Sequence, residues 1–373
     1  MSTYQQIRAA VLEELGQPFV IDAVELEPPR ANEVLVELAG VGICHTDLKM
    51  ARGYHPVSLP AVLGHEGAGV VVDVGANVTS VAPGDQVVIS FNSCGACPNC
   101  VSGHPAICDH FHQLTFACRR PDDGSSPLRR GDQVVNGYFF SQSSFATHAI
   151  TTERNLAKVD GVELDLALLG PLGCGVQTGA GTVMRVLRPE PGSSIVIFGV
   201  GAVGLSAVMA AVVTGAGAIV AVDRQPGRLA LAAELGATHT IDTSNIDPSA
   251  LSAAVHSCTG RGADHVVETT NVSAICEAAF ESLAHGGTYA HVGGGGGSIS
   301  LDTGALLAGR GVRGVIQGDS IPSEFIPELL ELHRSGRFPF NRLITSYPFE
   351  DINQAVADME SGATVKPVLR MPG

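Results

Sequence analysis

Ser194-Ile-Val-Ile-Phe-Gly-Val-Gly-Ala-Val-Gly-Leu-Ser206 is the stretch whose reading decides the fold. Ile195 to Phe198 is a short apolar, β-branched run of the kind that forms a buried strand, and Ala202 to Val213 is an apolar segment long enough for a packed helix. Between them Gly199, Gly201 and Gly204 stand in G-x-G-x-x-G spacing. The first glycine permits the tight turn, the second lets backbone approach a pyrophosphate, and the third lets the helix pack on the strand. A second apolar run, Ala218 to Val222, ends in Asp223, 19 residues beyond Gly204, where a carboxylate can bind ribose hydroxyls. Strand, turn, helix and acidic residue in that order predict a dinucleotide site. A Gly/Ala-rich turn in an ordinary α/β core is the competing reading.

Working outward, strand and helix alternate from about Cys174 to Val315. Candidate strands are Ile195 to Phe198, Ile219 to Asp223, Thr238 to Ile241, His265 to Glu268, Thr288 to Val292 and Val312 to Ile316. Six strands with crossover helices predict a doubly wound parallel sheet. Gly293 to Gly297 follow the fifth strand; they place backbone and Val292 against the cofactor, or form a plain surface loop. From Ile7 to Val159 the pattern is instead short Val/Ile runs punctuated by Gly and Pro, with a turn at Pro83-Gly84-Asp85, which predicts a mostly antiparallel β domain. The tail carries two amphipathic helices, Ser323 to Ser335 and Asp351 to Ser361, and a strand near Val365 to Leu369 that rejoins this β domain.

At 373 residues, two domains are expected. The chain is 45% hydrophobic and 16% charged, a globular balance, and its net charge of −15 excludes a nucleic-acid or anionic-membrane footprint. No secretory leader or apolar span is visible, so a cytoplasmic protein is expected. Nine cysteines, four of them within 15 residues, suit metal ligation better than a disulfide framework.

Cys94, Cys97, Cys100 and Cys108 supply four thiolates in one Gly/Pro/Asn-rich loop, enough to close a structural tetrahedral zinc site. A chance thiol cluster or an iron–sulfur site are the alternatives. Cys44, His65 with Glu66, and Cys174 each lie between glycines and apolar runs. Two thiolates, one imidazole and an open fourth position make a catalytic zinc site. Spacing alone does not gather these residues, and singly each reads as a buried or hydrogen-bonded structural residue.

Gly64-His-Glu-Gly-Ala-Gly69, the four-cysteine loop, Gly-Cys174-Gly followed by Thr178-Gly, and the glycine fingerprint with Asp223 together resemble the zinc-dependent medium-chain alcohol dehydrogenases, nearly end to end. Cys44-His-Thr-Asp-Leu48, Gln142-Ser-Ser-Phe-Ala-Thr147, Gly170-Pro-Leu-Gly-Cys-Gly-Val-Gln-Thr-Gly-Ala-Gly181, Glu324-Phe-Ile-Pro-Glu328 and Gly336-Arg-Phe-Pro-Phe340 look most like the aryl (benzyl) alcohol branch. The resemblance implies an α/β protein with a GroES-like, mostly β catalytic domain (1–174 and 319–373) and a Rossmann domain with a six-stranded doubly wound parallel sheet (175–318). It implies two zinc ions per chain, one catalytic on Cys44, His65 and Cys174 and one structural on the four-cysteine loop. Glu66 is then a neighbouring or transient ligand, Asp47 orients the zinc histidine, and Thr46 begins a proton relay. Many relatives end that relay with a histidine where this chain has Lys49; Lys49 or water would serve, or Lys49 is a solvated lysine. His45 and Lys366 match pyrophosphate positions, Thr178 and Val203 nicotinamide positions, and Arg228 a basic residue near the adenosine ribose. Asp223 favours NAD over NADP. Phe139 and Phe140 match positions lining a substrate pocket, with plain core packing as the alternative.

The implied activity is hydride transfer between a primary alcohol, aryl or allylic, and NAD, giving the aldehyde, in a homodimer or homotetramer. A thiol-dependent formaldehyde dehydrogenase is the rival enzyme, with Arg119 and Arg120 as candidates to hold a conjugate's carboxylates. A non-catalytic NAD-binding protein is the rival of another class.

Overall fold

The computed structural model describes residues 4–159, 161, 163–295 and 297–372. Gly296, within the glycine run, and the first three residues lie outside the described residues. The chain divides into two units, one of Met1–Cys174, Ile321–Glu331 and Ile344–Gly373, the other of Gly175–Ser320 and Leu332–Leu343. The sequence assigns 319–373 to the first domain, whereas 319–320 and 332–343 count with the second unit. Phe338, Phe340 and Leu343 there are buried, and Arg342 pairs with Glu234 of the second unit.

In the first unit the strand Glu33–Gly42 organises the rest. It is buried over nearly its whole length and pairs antiparallel with Gly67–Val74, His148–Thr152 and Lys366–Arg370. A strand covered on both sides reads as a near-continuous apolar run, as Val34, Leu35, Val36, Leu38 and Val41 do here. A seven-stranded sheet forms around it, beside a five-stranded sheet that includes Gln5–Leu12 and Val20–Leu26. Pro83-Gly84-Asp85 makes the expected turn: Gly84 has φ of 98° and the Asp85 carboxylate accepts the Ala82 N–H at 2.8 Å. The tail strand joins with Val368 opposite Gly42, which carries Lys366 to the end of the central strand.

The second unit holds six parallel strands in the spatial order His239–Asp242, Ala218–Asp223, Ser194–Phe198, Ala263–Glu268, Leu283–His291, Gly311–Gly314. Ser194–Phe198 is buried at every residue, and each of its apolar side chains contributes about 1.5–3 kcal/mol of transfer free energy. The chain order reverses at this strand, so its carboxyl end opens at the position where such sheets bind ligands. The fifth strand begins at Leu283 rather than Thr288, with a register shift opposite Ala263–His265. His285-Gly-Gly287 interrupts the apolar pattern there and hid the strand's start. It ends at His291, so Val292 opens the following loop. The sixth strand runs Gly311–Gly314, two residues short of the expected Ile316.

Candidate active site and dinucleotide-binding turn

Cys44 is the N-cap of the helix His45–Ala51, with extended φ of −120° and ψ of 153°. Asp47, three residues into that helix and fully buried, accepts the Cys44 N–H on Oδ2 at 2.9 Å. Its Oδ1 accepts the Gly64 N–H at 3.1 Å and faces His65 Nδ1 at 2.8 Å. One carboxylate therefore caps the helix and fixes the imidazole tautomer, leaving Nε2 as the lone-pair nitrogen. Gly64 is required beside it, since its φ is 90° and a Cβ would lie 2.4 Å from Phe145 N. Gln142 braces the histidine from behind, donating through Nε2 to the carbonyls of His65 and Ser90, both at 3.0 Å.

Ligand atoms of Cys44, His65, Glu66 and Cys174 lie within 4.8 Å of one another. His65 Nε2, buried, finds no hydrogen-bond partner among the described residues. An orphaned imidazole nitrogen facing two thiol sulfurs is what a tetrahedral cation with an open position requires. Charge supports that fit. The hydrogen bond from Cys174 holds the Cys44 thiol well below its usual range. Burial alone would lower His65, but the Asp47 carboxylate and Cys44 carry it well above the ordinary imidazole value.

Glu66 is also fully buried, and Lys366 meets it with Nζ at 2.9 Å from both carboxylate oxygens and 3.0 Å from the Ile43 carbonyl. Burial raises the Glu66 pKa against the pull of this ammonium. Lys366 is itself buried and held above the usual lysine range by the Glu66 charge, which outweighs desolvation. Sequence reading placed Lys366 on a pyrophosphate; the structure commits its amine to Glu66.

The four-cysteine loop is a second donor set. Cys94 and Cys100 sulfurs are 3.9 Å apart, as are those of Cys97 and Cys108. A tetrahedron with Zn–S bonds of about 2.3 Å has edges of about 3.8 Å. Backbone N–H groups of Ala96 and Cys97 donate to Cys94 Sγ at 3.4 and 3.3 Å and lower its pKa to about 6. Cys97 is lowered too, by backbone N–H groups, whereas burial raises Cys100 and Cys108, so the loop favours the thiolate at two of its four positions.

In the second unit, Gly199 has φ of 82°, and a Cβ on Gly204 would lie 2.0 Å from the Gly199 carbonyl. A Cβ on Gly201 would meet nothing nearer than Arg228 Nη1 at 3.9 Å, so the turn leaves open room for a phosphate under a guanidinium. Arg228 Nε is buried and without a partner among the described residues. Asp223 accepts the N–H groups of Val200 and Gln225, at 2.8 and 2.9 Å. These features fit a dinucleotide, with Arg228 over the fingerprint turn rather than at the adenosine ribose alone.

Among the other expected residues, His45 is exposed and Thr46 half-buried on the first turn of the Cys44-capped helix. Lys49 Nζ lies 5.9 Å from the Tyr54 ring centre. Phe140 stacks on His65 with ring centres 4.4 Å apart and Phe139 meets the same ring edge-on at 5.5 Å, both buried. Thr178 is buried in the helix Gly175–Gly181. Val203 is half-buried, and its carbonyl would lie 1.9 Å from a Cβ on Gly179, so the two helices approach closely. Arg120 is buried against Glu33 at 2.6 Å and Glu27 at 2.7 Å, and is unavailable to a ligand carboxylate. The contact of Gln142 with His65 and the pairing of Glu66 with Lys366 are not legible in the sequence, because nothing local marks contacts 77 and 300 residues apart.

A GroES-like unit carrying two metal-donor sets, with a Rossmann unit carrying a dinucleotide turn, defines the class of a zinc-binding dehydrogenase. Residues 30–161 match the alcohol dehydrogenase GroES-like domain family and residues 202–334 the zinc-binding dehydrogenase family. The chain belongs to the zinc-dependent medium-chain alcohol dehydrogenases. It is 45% identical to a geraniol dehydrogenase of Castellaniella defragrans over 97% of both chains. Its fold matches that of an alcohol dehydrogenase zinc-binding domain protein from Burkholderia ambifaria, with a TM-score of 0.96, 47% identity and 100% coverage of both chains. It also matches benzyl alcohol dehydrogenase from Acinetobacter calcoaceticus, with a TM-score of 0.94 and 42% identity over 99% of this chain and 100% of the other. Among the described residues, no helix is long and apolar enough to cross a membrane.

Proposed function

We propose that the chain oxidises a conjugated primary alcohol, aryl or allylic, to its aldehyde with NAD, using one zinc at Cys44, His65 and Cys174 and one at Cys94, Cys97, Cys100 and Cys108. The observation that carries the catalytic reading is the orphaned Nε2 of His65 among the Cys44 and Cys174 sulfurs, held there by Asp47. When bound, zinc supplies Lewis acidity toward a substrate oxygen and NAD supplies the hydride acceptor. The chain's part is to orient and to move protons. Asp47 fixes the ring, Thr46 takes the hydroxyl proton, and Glu66, neutralised by Lys366, keeps the centre's charge balanced. Lys49 stands one turn further along the same helix, where a proton can pass toward solvent.

Aromatic rings support the conjugated substrate. From exposed Tyr54 and His112 they run through half-buried His55 and Phe116 to Phe140, with His55–Phe116 at 4.8 Å and Phe116–Phe140 at 5.4 Å. A flat π-system gains stacking there that a saturated chain does not. The names of the benzyl alcohol and geraniol relatives agree with this reading. Asp223 supports NAD, because a 2′-phosphate would meet its carboxylate. The exposed outer strand Gly311–Gly314, with Val312 44% exposed, offers the sheet edge for a homodimer or for the pairs of a homotetramer. Nine cysteines, none of them paired in a disulfide, suit the reducing cytoplasm.

The test is NAD reduction by benzyl alcohol, geraniol and a saturated alcohol of equal length, with zinc counted by elemental analysis. Two zincs per chain and higher kcat/KM for the conjugated alcohols are expected. Exclusive use of a thiol–formaldehyde adduct would give the assignment to the formaldehyde branch, against the committed Arg120; one zinc per chain and no turnover would make the chain a non-catalytic NAD binder.

A further inference from the structure

The Rossmann unit contains a third cluster of metal-type donors. Parallel pairing sets Glu268, the last residue of Ala263–Glu268, opposite His291, the last residue of Leu283–His291. Cys276, in the first turn of the helix Ser273–Glu281, completes the group, and the ligand atoms of the three lie within 4.8 Å of one another.

The carboxylate is held in place from one side. Glu268 Oε1 accepts the N–H groups of Thr270 and Asn271, at 2.6 and 3.1 Å, and the Thr270 hydroxyl. Oε2 takes a longer contact from Asn271 N at 3.3 Å and faces His291 Nδ1 at 3.4 Å. The Tyr289 hydroxyl lies 3.3 Å from that same nitrogen. An N···O separation of 3.4 Å is too long for a firm hydrogen bond, but it equals the edge of a tetrahedron with bonds of about 2.0–2.2 Å. Glu268 and Cys276 are fully buried, whereas the His291 side chain is 31% exposed, which leaves an ion a way in.

A capping role for Glu268 accounts for the Thr270 and Asn271 bonds but not for an imidazole facing Oε2 and a thiol gathered with both. We infer that Glu268, Cys276 and His291 form a third cation site, separate from both zinc-type donor sets, selective for a thiophilic divalent ion such as Zn2+. One sulfur, one nitrogen and one oxygen suit a borderline-soft ion and offer too few oxygens for Ca2+ or Mg2+. Occupancy ties together the carboxyl ends of two neighbouring strands, and so stabilises the unit by mass action.

The experiment dialyses the purified enzyme, carrying its resident metal, against rising Zn2+, beside Cys276→Ser, His291→Gln and the control Cys258→Ser. Bound zinc is counted, the thermal midpoint is followed, and Co2+ is titrated for its thiolate charge-transfer band. The parent and Cys258→Ser are expected to take up one ion per chain more than the other two variants, with a zinc-dependent rise in midpoint that those two lack. The cobalt band should weaken in Cys276→Ser. Circular dichroism identifies a variant that fails to fold, and His291→Gln, at a partly exposed position, then carries the comparison. Equal metal content in the parent and both cluster variants would overturn the inference. That difference is read whether or not Cys44 and its partners hold zinc, so its failure leaves the dehydrogenase reading standing.

Discussion

Replacing Asp47 with asparagine keeps the shape of the side chain and removes one charge and one acceptor from a fully buried position. Three donors converge on the carboxylate: Cys44 N–H at 2.9 Å, Gly64 N–H at 3.1 Å and His65 Nδ1 at 2.8 Å. An amide oxygen can serve only the Gly64 and His65 side or the Cys44 side, and its NH2 then opposes a donor. At least one buried donor is left without an acceptor, at about 1–3 kcal/mol. The imidazole also loses the charge that raises its basicity. Loss of such a partner weakens metal affinity about 10–100-fold, equivalent to about 1.4–2.7 kcal/mol. Competition with a coloured chelator measures it, and the four-cysteine loop, a separate donor set, serves as an internal reference. The variant is expected to release one zinc 10–100-fold more readily and to keep the other, with circular dichroism unchanged. Two ions retained with parental affinity, or both lost in parallel, would refute the reasoning that Asp47 acts through His65.

Lys366→Met leaves the Glu66 carboxylate buried and uncompensated, and should lower stability to urea by about 3–5 kcal/mol, with recovery in the Lys366→Met/Glu66→Gln double variant. Unchanged stability with weakened NADH binding would return Lys366 to the pyrophosphate. Asp223→Ser should raise the KM for NAD about tenfold or more and narrow the preference over NADP, as measured by initial rates; equal loss with both cofactors would assign Asp223 to holding the Val200 turn alone. Burial raises the Asp264 pKa, but the Ser194 N–H and hydroxyl, at 2.9 and 2.8 Å, outweigh it, so the net shift is downward from 3.8. A depressed carboxylate stabilises the fold above its unfolded value and loses that contribution as pH falls through the folded one. Asp264→Asn should therefore be about 1 kcal/mol less stable at neutral pH, with the gap closing below pH 3.8, as followed by denaturant melts at stepped pH.

Sequence by itself determined whatever is encoded over short separations. The Gly199, Gly201, Gly204 turn with Asp223, the strand and helix periods of the second unit, and four cysteines within 15 residues all state their own geometry, because each contact closes within one element or one loop. Periodicity was weaker where a bulge broke it, as between Leu283 and Thr288, and it did not show that Leu332–Leu343 counts with the second unit. Residue spacing left Cys44, His65 and Cys174 scattered, and family resemblance alone gathered them in the sequence reading. Tertiary structure decided the rest: the orphaned Nε2 between two sulfurs, Lys366 on Glu66 across 300 residues, Arg228 over Gly201, and Glu268 opposite His291. The reason is physical. Side-chain period says which face of an element is buried, whereas the partner a polar group meets on that face depends on strand order and register, which only the packing of whole sheets sets.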